Sequence, residues 1–393
     1  MTPQARAQAA IEILDEVIVA ARDAGAAADT IVARYFRTRR YAGAKDRRAV
    51  RDLVYRAIRR AGERPDDGRA ALVGLAREDE GLAASFDGSP RAPAPIAAGE
   101  AGAAAGVAPA WLARQLAETL DAEELAALSQ RAPLDIRVNR LRADRDEVAA
   151  LFPDAMPLPA TPGGLRLAEG TAVEASPGFA QGLFEVQDEG SQLVAVACRP
   201  TSGMTVLDLC AGAGGKTLAL AAAMAGQGRL VACDVDRNRL ARLAPRADRA
   251  GVDALEMRLL NPDREAEALG DLVAAADVVL VDAPCSGTGT WRRNPEARWR
   301  LTPARIERLT TLQARLLDLA ATLVKPGGTL VYAVCSLLDA EGGDQAAAFL
   351  ARTPGWTTET PFGAGRSHGP GRRLAPGHDG TDGFFVARLV APW

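Results

Sequence analysis

Apolar residues near the N-terminus recur at helical spacing. Ile11, Leu14, Val17 and Ile18 form one such set, and Val50, Leu53, Val54 and Ile58 form another, so helices are expected up to about Arg60. The rhythm weakens over 65–107, where Pro90, Pro93 and Pro95 lie among Gly and Ala, which reads as a linker or a loosely built domain end. A short helical patch at 109–129, a strand at 135–139 and a helix starting near Asp144 suggest a small α+β module. After Gln187 the pattern changes. Apolar strands at 205–209, 230–234, 277–282 and 329–335 alternate with amphipathic helices after Lys216, from Arg237 and over 302–323. That alternation predicts a doubly wound, Rossmann-like α/β sheet. The expected organisation is an all-α domain at 1–85, a linker at 86–107, the α+β module at 108–185 and the α/β domain at 186–393, in line with a length of 393 residues.

Composition adds limits. A net charge of −3 means that any nucleic-acid binding must come from a local patch. One exists between Arg34 and Arg60: Arg37, Arg39, Arg40, Lys45, Arg47, Arg48, Arg51, Arg56 and Arg59 are opposed only by Asp46 and Asp52. Tyr35, Phe36, Tyr41 and Tyr55 are interleaved, either as stacking faces for unpaired bases or as core aromatics beneath a solvated basic face. No signal segment or membrane-length apolar run is present, and the five cysteines form no CxxC pair. A reduced, cytoplasmic protein without a metal site is therefore expected, with a monomer as the default.

Residues 205–217 run from a buried strand through a glycine-rich turn into a helix. Gly215-Lys216-Thr217 imitates the end of a P-loop, but the required first glycine is Cys210. The dinucleotide fingerprint lacks its third glycine. What remains suits S-adenosyl-L-methionine (AdoMet), whose amino-acid end and sulfonium need a close backbone rather than a pyrophosphate cradle. Asp234, ending the next strand, can accept bonds from ribose hydroxyls, with a helix N-cap as its competing role.

Cys285 follows Asp282-Ala283-Pro284, and Cys335 ends Tyr332-Ala333-Val334. Both would stand at carboxyl ends of strands, facing the cleft of the glycine loop, whereas Cys198, Cys210 and Cys233 read as small buried hydrophobes. A thiolate has a task in methylating cytosine C5. Addition to C6 makes the ring an enamine, a carboxyl such as Asp282 can stabilise it near N3, and C5 becomes nucleophilic. Lys216 or the AdoMet sulfonium could supply the positive charge that favours a thiolate.

Arg137-Val138-Asn139, the 186–192 run from Val186 to Gln192, the 210–217 loop, the 282–289 turn, Tyr332 to Ser336, and Asp382-Gly383-Phe384-Phe385 together resemble the bacterial ribosomal-RNA cytosine-C5 methyltransferases, the NOL1/NOP2/Sun group. The resemblance runs from about Pro109 to the end, and the basic N-terminal helices resemble a NusB-like RNA-binding domain. It implies a fold of the AdoMet-dependent methyltransferase type and an enzyme forming 5-methylcytosine in RNA, with 16S rRNA favoured and tRNA second. By carry-over, Cys335 is implied as the nucleophile, Cys285 as the cysteine that helps release product, and Asp282 as touching both cofactor and base. Cys210, Ala211, Gly212, Ala213, Gly214, Gly215, Lys216 and Asp234 are implied to hold AdoMet, with Asn261 near the adenine. Arg292, Arg293, Asn294, Pro295, Arg298 and Trp299 have a mix of charge and aromatic character that suits RNA contact, with a surface helix start as the competing reading. The chain departs from the family in having Ala213 where a loop proline is usual, Val334 where Thr is usual, and no Pro-Glu-Glu-Asn run after Leu338. Two other readings stay open: a non-catalytic RNA-binding or assembly factor on the same fold, and an AdoMet enzyme acting on another base or on protein.

Overall fold

The N-terminal spacing resolves into α1 (Pro3–Arg22), α2 (Ala28–Arg37), α3 (Ala44–Arg60) and α4 (Gly68–Ala76). A computed structural model describes residues 1–22 and 25–393, which fall into two units, Met1–Arg131 with Thr290–Thr302 and Ala132–Gly289 with Pro303–Trp393. In the first unit Ile13, Leu14, Val17 and Ile18 of α1 share one core with Val54 and Ile58 of α3 and Leu72 and Val73 of α4. The stretch expected as a linker is bound back onto this core. Ala103 N donates to Ala70 O at 2.8 Å, Gly106 N donates to Arg60 O at 2.9 Å, and Ile96 packs on the core's edge.

The segment Thr290–Thr302 corrects an expectation. Arg298 and Trp299, expected to touch RNA, are buried inside the helical unit, at 0% and 5% exposure. α2 begins at Ala27 with no side-chain cap of its own, and the Glu296 carboxylate accepts from Ala28 N at 2.9 Å instead. At the other polarity, Arg298 Nη2 donates to the carbonyls of Ile58, Arg59 and Ala61 at 2.6, 3.0 and 2.8 Å, and Trp299 Nε1 donates to Ala61 O at 3.2 Å. An acid thus meets the free N–H end of one helix, and a cation meets the free C=O end of another, as the helix dipole favours. The segment is a strap that caps two helices.

In the second unit β1 (Leu134–Val138), β2 (Met156–Pro157), β3 (Gly164–Leu167) and β4 (Phe184–Val186) form an antiparallel sheet in the order β2-β3-β1-β4. The large sheet contains β5 (Thr205–Asp208), β6 (Arg229–Asp234), β7 (Leu255–Leu259), β8 (Ala276–Asp282) and β9 (Val324–Val334), all parallel, in the order β9-β8-β5-β6-β7. Four further strands, β10 (Thr357–Glu359), β11 (Arg366–His368), β12 (Gly371–Leu374) and β13 (Phe384–Val390), extend it antiparallel beyond β9. The inner parallel strands are apolar on both faces because both are covered, whereas β7 at the sheet's edge carries Glu256 and Arg258 and is partly exposed. Val206 and Leu230 join Leu193, Leu220 and Leu243 from the helices on one side, while Leu207 and Val231 join Leu317 and Phe349 on the other. The chain leaves β5 for β6 and β7, then returns to pair β8 on its opposite edge. That switch point is where such sheets open a ligand crevice at the carboxyl ends of the strands. No described helix is long and apolar enough to cross a membrane.

Candidate active site

Every residue singled out for chemistry lies at the carboxyl end of a parallel strand, or in the turn or helix start that follows it. The 210–216 loop follows β5, Asp234 ends β6, Asn261 lies just past β7, Asp282 ends β8 with Cys285 in the turn after it, and Cys335 follows β9. The two sulfurs approach to 3.4 Å, and both cysteines are partly exposed. Lys216, from the loop, pairs with Asp282 at 2.7 Å. Burial works against the lysine's charge, but Asp282 foremost, with Cys335 adding to it, holds the ammonium above its ordinary range.

The cysteines separate into two kinds. Burial pushes the Cys198, Cys210 and Cys233 thiols up, Cys233 to about 12, which suits their reading as small apolar groups. The Cys285 thiol is also raised, first by its hydrogen bond to Cys335 and then by burial.

The glycine loop is pinned from several sides. Gly212 N donates to Asp234 Oδ2 at 2.7 Å, Ala211 N to Cys233 O at 2.8 Å, and Gly214 N to Ala211 O at 2.9 Å. Where the family uses proline, the Ala213 carbonyl accepts from Arg246 Nη1 at 2.6 Å, and Arg246 is itself paired to Glu185 at 2.8 Å. A side chain thus holds the turn that a proline ring would stiffen. Gly214 has φ +86°, and a Cβ there would meet Leu243 Cδ1 at 2.0 Å, so glycine is required. The Asp234 carboxylate accepts one backbone N–H on each oxygen, from Gly212 and Asp236, which leaves a second lone pair on each. Backbone brought close by glycines, together with an oriented acid one strand away, fits an AdoMet-sized ligand. Asn261 is exposed one residue beyond Leu260, whose N–H bonds Asp234 O.

Other quoted motifs turn out to be scaffold. Asn139 is buried and donates to Gly182 O and Ala250 O at 2.9 and 2.8 Å. Asp188 accepts from Ser191 N and from Asp382 N, joining the 187–191 run to the Asp382-Gly383 turn. Gly289 and Gly383 pack back to back, since a Cβ on Gly289 would meet Gly383 O at 2.0 Å. Val334 is fully buried in the layer of Phe349 and Phe385, whereas Cys335 borders the opposite layer. A hydroxyl at 334 would therefore point into the core.

Asp208 was not anticipated as important. It is buried beneath the loop, where Oδ2 accepts from Thr217 Oγ1 at 2.7 Å and Oδ1 has no partner among the described residues. Burial raises its carboxyl from 3.8 to about 7, with the Thr217 bond acting the other way. Because the folded value lies above the unfolded one, its contribution is fully present below about pH 4 and is lost as pH rises through 7. Asp208→Asn should therefore gain stability over wild type across that interval, by about 4 kcal/mol at most, and no more above pH 8. Urea denaturation at pH 4.5 and pH 8 measures it, and an equal difference at both would rule out this titration.

Residues 195–390 match the family described as 16S rRNA methyltransferase RsmB/F. The ribosomal RNA small subunit methyltransferase B of Enterobacter sp. (strain 638) is 39% identical over 289 residues, covering 72% of this chain and 66% of that protein. Its Salmonella typhi namesake is 39% identical over 290 residues, with the same coverage of 72% and 66%. The chain thus spans slightly less than two thirds of the length of these relatives. A solved methyltransferase homolog protein from Pyrococcus horikoshii superposes with a TM-score of 0.61 at 28% identity, over 68% of this chain and 90% of that one. Over residues 195–390, the region that carries the crevice, the loop and the cysteine pair, this chain belongs to the RsmB/F methyltransferase family.

Proposed function

We propose that the protein is an AdoMet-dependent rRNA methyltransferase forming 5-methylcytosine in 16S rRNA through a cysteine–C6 adduct. The observation that carries this reading is the pair of thiols 3.4 Å apart at the ends of β8 and β9, beside the Lys216–Asp282 pair. Methylation of an amine has no use for even one thiol there. The relatives' names favour small-subunit rRNA as substrate.

The 210–216 loop, Asp234 and Asn261 would hold AdoMet, which when bound supplies an electrophilic methyl group. Cys335 Sγ adds to C6 of the cytosine, and the electron pair displaced from the C5–C6 bond makes C5 nucleophilic. A proton shared between the Asp282 carboxyl and N3 offsets the negative charge that addition places on the ring, and Lys216 holds that carboxyl at 2.7 Å. After C5 carries the methyl group it gives up its proton to solvent water, the C5–H electron pair re-forms the C5–C6 double bond, and the C6–S bond breaks with its electrons on the Cys335 sulfur. Cys285, 3.4 Å away, is the group at hand for that release. RNA would be drawn to the helical unit by Arg37, Arg40, Lys45 and Arg48, which are exposed and make no ion pair among the described residues. Tyr35 and Phe36 are core residues, Tyr55 is partly buried against the same core, and Tyr41, 72% exposed, is the aromatic of the four left for stacking.

The test is methyl transfer from labelled AdoMet to unmodified small-subunit rRNA and particles, followed by digestion to nucleosides. Label is expected in 5-methylcytidine. Label in an N-methyl or ribose-methyl nucleoside would overturn the cytosine-C5 reading, and no label in any RNA would favour an assembly factor.

A further inference from the structure

Glu341 lies in the 3-10 turn Asp339–Glu341 and is completely buried, yet the chemistry above gives it no role. Its carboxylate has four acceptor sites, and four donors fill them. Oε1 accepts from Ser286 N at 2.8 Å and from Gln313 Nε2 at 3.1 Å. Oε2 accepts from Ser336 Oγ at 2.6 Å and from the Ser286 hydroxyl. Ser286 and Ser336 are the residues directly after Cys285 and Cys335. One carboxylate thus grips both cysteine turns at the same relative position.

The surroundings make the grip stiff. Tyr332, on the strand that leads to Cys335, donates its hydroxyl to Glu341 O at 2.5 Å. Gln313 also donates to Pro284 O at 2.9 Å, on the approach to Cys285. Thr288 Oγ1 accepts from Leu337 N at 2.8 Å, and Gly289 N donates to Cys335 O at 3.1 Å, so the two turns are further laced together. A buried, fully paired charge in such a lattice resists displacement, because every donor it releases would stay buried and unpaired.

We propose that Glu341 is a positioning residue that sets the spacing of the two cysteines, and so lets both thiols reach one pyrimidine in turn. This rests on the two-thiol reading above. A reaction that uses one sulfur to add and the other to help release cannot tolerate independent movement of the two turns. An error of about 1 Å at a reacting atom costs on the order of 100-fold in rate.

The experiment compares wild type, Glu341→Ala and Glu341→Gln in the full chain at a temperature where all are folded. Two quantities are read: steady-state methyl transfer, and the rate at which diamide, by taking up two hydrogens, converts the Cys285 and Cys335 thiols to a disulfide. Glu341→Ala is expected to lower kcat about 100-fold with the KM for AdoMet within about twofold. It should also slow closure of the disulfide by at least tenfold. Glu341→Gln, which keeps the shape and can still bond both serines, should recover most of both. If Glu341→Ala does not fold, the double variant Ser286→Ala with Ser336→Ala removes both hydroxyl donors to Oε2, keeps the Ser286 N–H bond to Oε1, and should show both losses in the same direction. Unchanged kcat and unchanged disulfide closure in a folded variant would overturn the proposal. A wild type that methylates nothing would instead count against the proposed function, and the disulfide rate would still decide the role of Glu341.

Discussion

Alanine in place of Cys335 is expected to abolish methyl transfer, by about 10⁴-fold or more, whereas alanine in place of Cys285 should trap a protein–RNA adduct. The asymmetry follows from the site. The contact with the Cys335 sulfur, and then burial, push the Cys285 thiol up. It is therefore the poorer nucleophile, and Cys335 is the sulfur free to add to C6. Removing Cys335 leaves only Cys285, the thiol that is pushed up, near the ring, so C5 stays inert. Removing Cys285 leaves addition and methylation possible but takes away the group placed 3.4 Å from the leaving sulfur, so the adduct should outlive turnover. Denaturing gels with labelled RNA separate these cases, since a covalent complex migrates with the protein and collapses on nuclease treatment. Adduct in Cys335→Ala would reverse the two roles, and full activity in that variant would refute covalent catalysis.

Much of this was legible in the sequence because parallel strands announce themselves by continuous apolar runs. The stretches around 205, 230, 277 and 329 each became a strand of the switch-point sheet, and the helix expected over 302–323 forms as Pro303–Leu323. Chemistry placed at strand ends was legible for the same reason, since the fold fixes where those ends point. What escaped depends on partners far apart in the chain. The mixture of Arg298, Trp299 and neighbouring charges looked like an RNA surface because periodicity says nothing about a donor that caps a helix some 240 residues earlier. Arg246, holding Ala213 from 33 residues away, escaped likewise, so the sequence showed the missing proline but not what replaces it. Glu341 could have been suspected, as an acid six residues after Cys335, but its grip on Ser286 appears only when β8 and β9 lie side by side.

Arg298→Ala should destabilise the helical unit by about 3 kcal/mol while leaving the α/β sheet intact. The guanidinium is fully buried, and burial pulls its pKa down to about 10, so its charge is held at a cost. What offsets the cost is three carbonyls at the end of α3 that have no other donor in reach of their helix. Alanine would remove that donor from the Ile58 and Arg59 carbonyls, leave Ala61 O with Trp299 Nε1 alone, and open a cavity beside Trp299. Lysine keeps a cation and three donors on a shorter reach, so Arg298→Lys should recover part of the loss. Hydrogen exchange read by mass spectrometry localises the effect. Amides of α2 and α3 should lose protection in Arg298→Ala, because the strap that carries Arg298 also carries Glu296, the cap of α2. Amides of β5, β8 and β9 should exchange as in wild type. Loss of protection in those strands instead would mean that the strap stabilises the sheet rather than the helices, and unchanged α2 and α3 would mean that Arg298 is not their clamp.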